Sequence, residues 1–332
     1  MVSVDDARCR LVAGELVAAS VPKASEDSPL VDVSPAHLPN FYLFGVAICH
    51  QTSPRNGPRL GGRLECQSRD AWGWDYLRLR LAERVAQDAA PLEPSKWTRI
   101  DAATLSRLFA DANGSETLSA VEERIALIRD LGTRMCSQGI DDVTAIFVQE
   151  QRTLENHGTG ILPRLSQFDA YRDPIRKKSF FFLELMQNSC GWSFVDPHHL
   201  GAPVDYHEVR GHLRLGTVIV EDRGLLERVR AGIAVDAAAD VAIRGAVANA
   251  IALIASMSGH SASDLHYLFW NVFRNCCSRS VQHCSSCTPD CGLPSRYRAT
   301  FSEENRCMFR DCCRSANLPH KLLEHVHETD FY

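Results

Sequence analysis

The sequence predicts a predominantly α-helical protein with a cysteine-rich C-terminal segment. Three observations carry that expectation. Apolar residues recur at helical spacing over most of the 332 residues, stretches alternating with period two are few and scattered, and eight of the thirteen cysteines fall between Cys276 and Cys313. With 45% hydrophobic and 23% charged residues the composition is that of a globular chain, which excludes collagenous and strongly disordered classes. The length allows two modest domains or one large helical one.

Residues 1–38 mix apolar and polar positions and include "VPKASEDSPLVDVSPAHLP", whose Pro, Ser and Asp content reads as an extended lead-in. Helical signal begins at "NFYLFGVAICHQTS". It breaks at "SPRNGPRLGG" (53–62), a loop by its Pro and Gly content. "DAWGWDYLRLRLAERVAQDA" then places apolar residues at helical spacing, and "DAATLSRLFADA" opens on Asp101, a good N-cap. "SAVEERIALIRDLGTRMCSQ" is the clearest amphipathic helix, with Val121, Ile125, Ile128 and Leu131 on one face. Further helices are expected at "KKSFFFLELMQNSC", at "VDYHEVRGHLRLG", at "DRGLLERVRAGI", over 236–257 and at "SASDLHYLFWNVFRNCC". No repeat period and no low-complexity segment is present. The expected division is a lead-in with the first helix (1–62), a helical core (63–275) and a cysteine-rich metal-binding region (276–332).

The apolar run "VANAIALIASM" (247–257) is too short to cross a bilayer and reads as a core helix, so no membrane partner is expected. "MVSVDDARCR" lacks the pattern of a secretory signal, and a cytoplasmic location is the expectation. In that compartment clustered cysteines point to metal rather than to disulfides. The formal net charge of −5 offers nucleic acid no global attraction. Locally, residues 274–314 hold seven Arg against four acids, a pattern that fits either a solvated surface or a phosphate-facing patch.

Cys277, Cys284, Cys287 and Cys291 form C-x6-C-x2-C-x3-C, four thiols close enough in sequence to wrap a single centre. Soft thiolates hold iron–sulfur clusters, here [4Fe-4S], or zinc, and the spacing does not separate the two. Cys276 can replace Cys277. "CMFRDCC", with Cys307, Cys312 and Cys313, can supply a ligand or cover the centre.

Asp205 opens "VDYHEVRGHLRLG". With Glu208 it makes the D-x-x-E spacing of an ordinary capping box. The same position suits chemistry, because a helix N-terminus holds a carboxylate still and favours its ionised form.

Taken together, the Asp-led helix and the cysteine loop resemble the helix-hairpin-helix DNA glycosylase superfamily, in its iron–sulfur, endonuclease III-like branch. Val204, Asp205, His207, Val209, Arg210, Arg214, Leu215 and Gly216 match that family's V-D-x-H-V-x-R-x-x-x-R-L-G-like segment; Cys277, Cys284 and Cys287 match its C-x6-C-x2-C-x5-C loop, with a last gap of x3 here. A second resemblance, over roughly 70–274, is to the queuosine salvage N-glycosylases, and Asp205 falls on the catalytic carboxylate of both. The salvage proteins carry no such cysteine loop, and where they have a Lys-Arg pair this chain has Glu184 and Leu185. The glycine-rich hairpin of the repair branch and its lyase lysine are absent from "MQNSCGWSFVDPHHLGAP", where Gln187 stands in the neighbourhood, so Schiff-base strand cleavage is not implied.

What the resemblance implies is a two-lobed helical glycosylase fold and a monofunctional N-glycosylase that removes a modified or damaged base from DNA, with Asp205 catalytic. Hydrolysis of a free modified nucleotide is the alternative, and a non-catalytic, metal-stabilised nucleic-acid-binding module a further one. An excised base is held between aromatic and apolar side chains. Phe44, Trp74 and Phe182 are the candidates for that pocket, although aromatics at such spacing also build cores. Gln51 in "CHQTS" matches the polar end of the first superfamily helix, and His207 and Arg210 are the candidate base or phosphate contacts.

Overall fold

The computed structural model describes residues 1–17, 19–23, 33–55, 57–65, 69–285, 292–298 and 306–332. It is mainly helical, and the strands among the described residues are two short antiparallel pairs, Val2–Val4 with Val218–Val220 and Gly61–Arg63 with Asp70–Trp72. The chain forms two compact units. One comprises Met1–Asp27 and Leu200–Glu328, and the other Ser28–His199 and Thr329–Tyr332. This division cuts across the three consecutive segments expected from sequence, because the first residues of the chain fold with its last third.

In the first unit, Asp6–Val17 forms a helix that the sequence reading did not place, and the Pro/Ser/Asp-rich stretch expected as an extended lead-in lies partly outside the described residues. Its buried residues Cys9, Val12, Ala13 and Leu16 follow the i, i+3, i+4, i+7 pattern, and they pack on the helix Ala237–Ser258. That 22-residue helix has the length and a mean hydropathy of 1.6 suited to a bilayer. In the fold it is a core element: Ile243, Val247, Ile251 and Ile254 are buried, as is the Asp240–Arg244 ion pair (2.7 Å) to which His325 adds a second contact at 2.8 Å. Asp222, Asp236 and Ser261 cap the helices Arg223–Ala231, Ala237–Ser258 and Ala262–Asn275 with side-chain acceptors.

The helix Tyr206–Leu215 lies against Ala262–Asn275, and Gly211 marks the closest approach: a Cβ there would stand 2.0 Å from the Phe273 ring. Gly211→Ala is therefore expected to force the two helices apart, at a cost of about 1–3 kcal/mol. Chemical denaturation that shows no loss of stability would contradict this packing.

In the second unit, the helix Leu38–Ala47 is apolar apart from Asn40, and Pro39 through Ala47 are buried. Around it pack Gly73–Val85, Val121–Ser137 and Lys177–Cys190. Ile125, Ile128 and Leu131 of the amphipathic helix face inward as expected, and Asp101 accepts from the Thr104 N–H at 2.7 Å as the expected N-cap.

The C-terminal end of the buried helix leaves carbonyls without helical partners. Lys178 Nζ donates to the Ala47 carbonyl (2.6 Å), while Arg124 donates to those of Ile48 and of His50 (2.8 Å). Burial lowers Lys178 to about 8 and Arg124 to about 10. These cations are thus structural, set at a helix end where positive charge is favoured.

Candidate active site

Asp205 is half-buried at the start of the helix Tyr206–Leu215, and the D-x-x-E spacing does form a capping box. Its Oδ1 accepts from the N–H groups of His207 (2.7 Å) and Glu208 (3.4 Å), while Glu208 Oε2 accepts from the Asp205 N–H (3.3 Å). Its Oδ2 accepts from the Trp270 indole N–H at 3.0 Å. Three donors thus hold the carboxylate in place, and Trp270 comes from the neighbouring helix Ala262–Asn275.

The group is flanked by partly exposed aromatic rings. Tyr206 and His207 lie with centroids 4.2 Å apart, His207 is edge-on to Trp270 at 6.0 Å, and the Arg274 guanidinium lies over the Trp270 ring at 4.6 Å. Arg279 covers Tyr206 at 4.9 Å. Beneath this surface Glu208, fully buried, meets His266 Nδ1 at 2.8 Å. Burial raises the Glu208 carboxyl, and His266 partly offsets the rise.

Trp270 and Arg274 were not singled out in the sequence. Their signal is present in "DLHYLFWNVFRN", where an i, i+4 pair occupies the exposed side of an otherwise buried helix face.

The sequence-predicted contacts are distributed between the units. His207 shares the surface of Asp205, with Nδ1 at 2.8 Å from Arg210 Nη2. Arg210 itself is 1% exposed, and its guanidinium pairs with Glu324 (3.0 Å) and donates to the carbonyls of Phe273 (3.0 Å) and Cys277 (3.1 Å). A side chain so engaged braces the fold.

Phe44, Trp74, Phe182 and Gln51 belong to the other unit. Phe44 is fully buried against Trp97, and Phe182 between Tyr171 and Trp192. Trp74 packs edge-on to Phe181 at 5.0 Å. Gln51 donates from its side chain to the Thr329 carbonyl and from its backbone to that of Tyr332, each at 3.0 Å. A cleft of about 610 Å³ in this unit is lined by residues that include His37, Asn40, Asp88 and Glu93, and none of the predicted site residues is among its lining.

His212, one turn beyond His207, is buried among Phe269, Phe273 and Thr217, with Nδ1 at 2.8 Å from the Thr217 hydroxyl. Burial lowers it to about 3. Below about pH 6.5 the unfolded imidazole takes up a proton that the folded one refuses until about pH 3, so this group subtracts stability as pH falls through that window, by about 1.4 kcal/mol per pH unit. His212→Gln is expected to flatten the acid limb of the stability–pH curve by about one proton, measured as urea unfolding free energy at about pH 7 and about pH 5. An unchanged slope would contradict a neutral buried imidazole.

Of the predicted metal ligands, Cys287 and Cys291 lie outside the described residues, while Cys277 and Cys284 lie within them. Among the described residues no group of three His, Cys, Asp or Glu side chains stands at metal-binding geometry. Arg214 Nη1 donates to Cys277 Sγ at 3.1 Å, and Lys321 Nζ to Cys284 Sγ at 3.0 Å. Burial pushes the Cys307 thiol well up, with the nearby Cys277, Cys276 and Cys284 pressing the same way. Burial likewise pushes Cys313 up to about 11, reinforced by Cys277 and Cys284.

No protein-family model matches this chain, and no curated protein matches it.

Proposed function

We propose that this protein is a monofunctional N-glycosylase that hydrolyses the bond between a modified or damaged base and its sugar in DNA, with Asp205 as the catalytic carboxylate. The observation that carries the reading is the setting of Asp205: partly exposed, held by three N–H donors at a helix N-terminus, and bordered by Trp270, His207 and Tyr206. Cleavage of an N-glycosidic bond leaves positive charge on the sugar, as in glycoside hydrolysis. A fixed carboxylate stabilises that charge or takes a proton from the attacking water. The bordering rings offer stacking surface for an unstacked base, and Arg274 brings a guanidinium to the same face.

Cysteine ligands beginning with Cys277 and Cys284 would hold an iron–sulfur cluster, [4Fe-4S], or zinc. Such a group would cross-link the segment that follows the helix Ala262–Asn275.

The second reading, hydrolysis of a free modified nucleotide, is favoured by the net charge of −5, which suits a small ligand better than a polyanion. The test is a base-release screen by mass spectrometry over modified oligonucleotides, nucleotides and nucleosides. Release from duplex DNA with salt-sensitive binding supports the first reading, and release from mononucleotides alone supports the second. Tight binding of nucleic acid with no release from any substrate would leave a non-catalytic binding module.

A further inference from the structure

The helix cap at Asp205 uses only one of its two carboxylate oxygens. Oδ1 supplies the cap by accepting from the N–H groups of His207 (2.7 Å) and Glu208 (3.4 Å). Oδ2 has no part in it, yet it receives the Trp270 indole N–H at 3.0 Å, from a residue 65 positions further along the chain. An indole has a single donor and no acceptor, and Trp270 is only half-buried, so water would satisfy that donor as well as a carboxylate does. The ring is restrained on two further sides. The Arg274 guanidinium lies over its face at 4.6 Å, and the His207 imidazole meets it edge-on at 6.0 Å. One turn earlier on the same helix, Ala262–Asn275, His266 Nδ1 meets Glu208 Oε1 at 2.8 Å, and Glu208 Oε2 accepts from the Asp205 backbone N–H at 3.3 Å. A single helix therefore braces the backbone of Asp205 through Glu208 and its side chain through Trp270.

We infer that Trp270 is a positioning residue that makes Oδ2 of Asp205 the oxygen presented to the reacting sugar or to the attacking water, an inference that rests on the glycosylase reading above. An ionised carboxylate offers about four lone-pair sites. The two backbone N–H groups occupy those of Oδ1, and the indole takes one of those on Oδ2, which leaves Oδ2 with the remaining acceptor site in a residue that is only half-buried. Without the indole the group is anchored at Oδ1 alone and pivots about its Cβ–Cγ bond, a torsion with broad preferences, so that Oδ2 sweeps over many directions. Misplacing a reacting group by about 1 Å costs on the order of a hundredfold in rate. A bond that removes this freedom acts on turnover and leaves substrate affinity alone. Trp270 exchanges no proton and forms no covalent bond in the reaction.

The test uses the full-length protein and Trp270→Phe, which keeps a ring beside Arg274 and His207 and removes the donor. On a modified oligonucleotide or nucleotide from which the parent releases base, kcat is expected to fall about tenfold while KM stays within about twofold. Adding Trp270→Phe to Asp205→Asn should lower kcat no further, because the indole acts through the carboxylate. Since Trp270→Phe can fail to fold, a second readout needs only the parent and Asp205→Asn. It is the indole N–H resonance of Trp270, one of five tryptophans, in isotope-labelled protein, assigned through its proximity to the His207 ring. In Asp205→Asn this signal should move upfield and its hydrogen should exchange faster with solvent, as a charge-assisted bond is lost. Parental kcat in a folded Trp270→Phe, a rise in KM with kcat unchanged, or an indole signal indifferent to Asp205→Asn would overturn the inference and leave the glycosylase reading standing. A parent that releases no base from any substrate in the screen would refute the glycosylase reading itself, and the role assigned to Trp270 with it.

Discussion

Asp205→Asn is expected to lower base release by about 10²–10³-fold while leaving the fold and any bound metal in place. The substitution keeps an acceptor for the N–H groups of His207 and Glu208, so the helix cap survives. It removes the negative charge, and it sets an amide against the Trp270 indole N–H that Oδ2 now receives, at a stability cost of about 1 kcal/mol. Asp205→Ala, by contrast, loses the cap as well and should cost about 1 kcal/mol more. The pair of variants separates the capping role from the proposed catalytic one. If Asp205→Asn releases base at the parent rate, with circular dichroism unchanged, the carboxylate serves only as a cap.

Arg210→Met is expected to be the most destabilising single change at the site, by about 3–5 kcal/mol, because it strips one partner from a buried ion pair. Glu324 is 1% exposed and would keep Arg279 but lose the 3.0 Å contact to Arg210. The carbonyls of Phe273 and Cys277 would lose a charged donor at the same time. Burial alone would raise the Glu324 carboxyl, yet Arg210 and Arg279 outweigh it and hold the group below its ordinary range. The pair therefore contributes stability that is complete above the ordinary glutamate pKa and lost as pH falls through the lowered one. Urea titration should show a shifted midpoint for Arg210→Met and a weaker acid dependence. A variant of parental stability that binds substrate more weakly would instead restore Arg210 as a substrate contact.

Periodicity made most of the helices readable in advance. "KKSFFFLELMQNSC" folds as Lys177–Cys190 and "SASDLHYLFWNVFRNCC" as Ala262–Asn275, and Asp101 and Asp205 both cap the helices they precede. The helix Asp6–Val17 carries the same signal in Cys9, Val12, Ala13 and Leu16, but the Pro and Ser content further along masked it. Phe44 and Phe182 were ambiguous because an aromatic at helical spacing serves a core and a pocket equally well; burial assigns both to the core. Arg124 and Lys178 carried no sequence signal for burial, and the proximity of carbonyls at the end of a buried helix explains their enclosure.

The amino-acid order alone determined where most of the helices form and that Asp101 and Asp205 begin two of them, since these depend on neighbours within a few positions. The three-dimensional arrangement decided what the Asp205 carboxylate meets, namely an indole from 65 residues further on. It also decided which cations are enclosed. The reason is physical: backbone hydrogen bonding and capping are local, whereas packing and charge compensation join groups whose separation along the chain carries no trace of their distance in space.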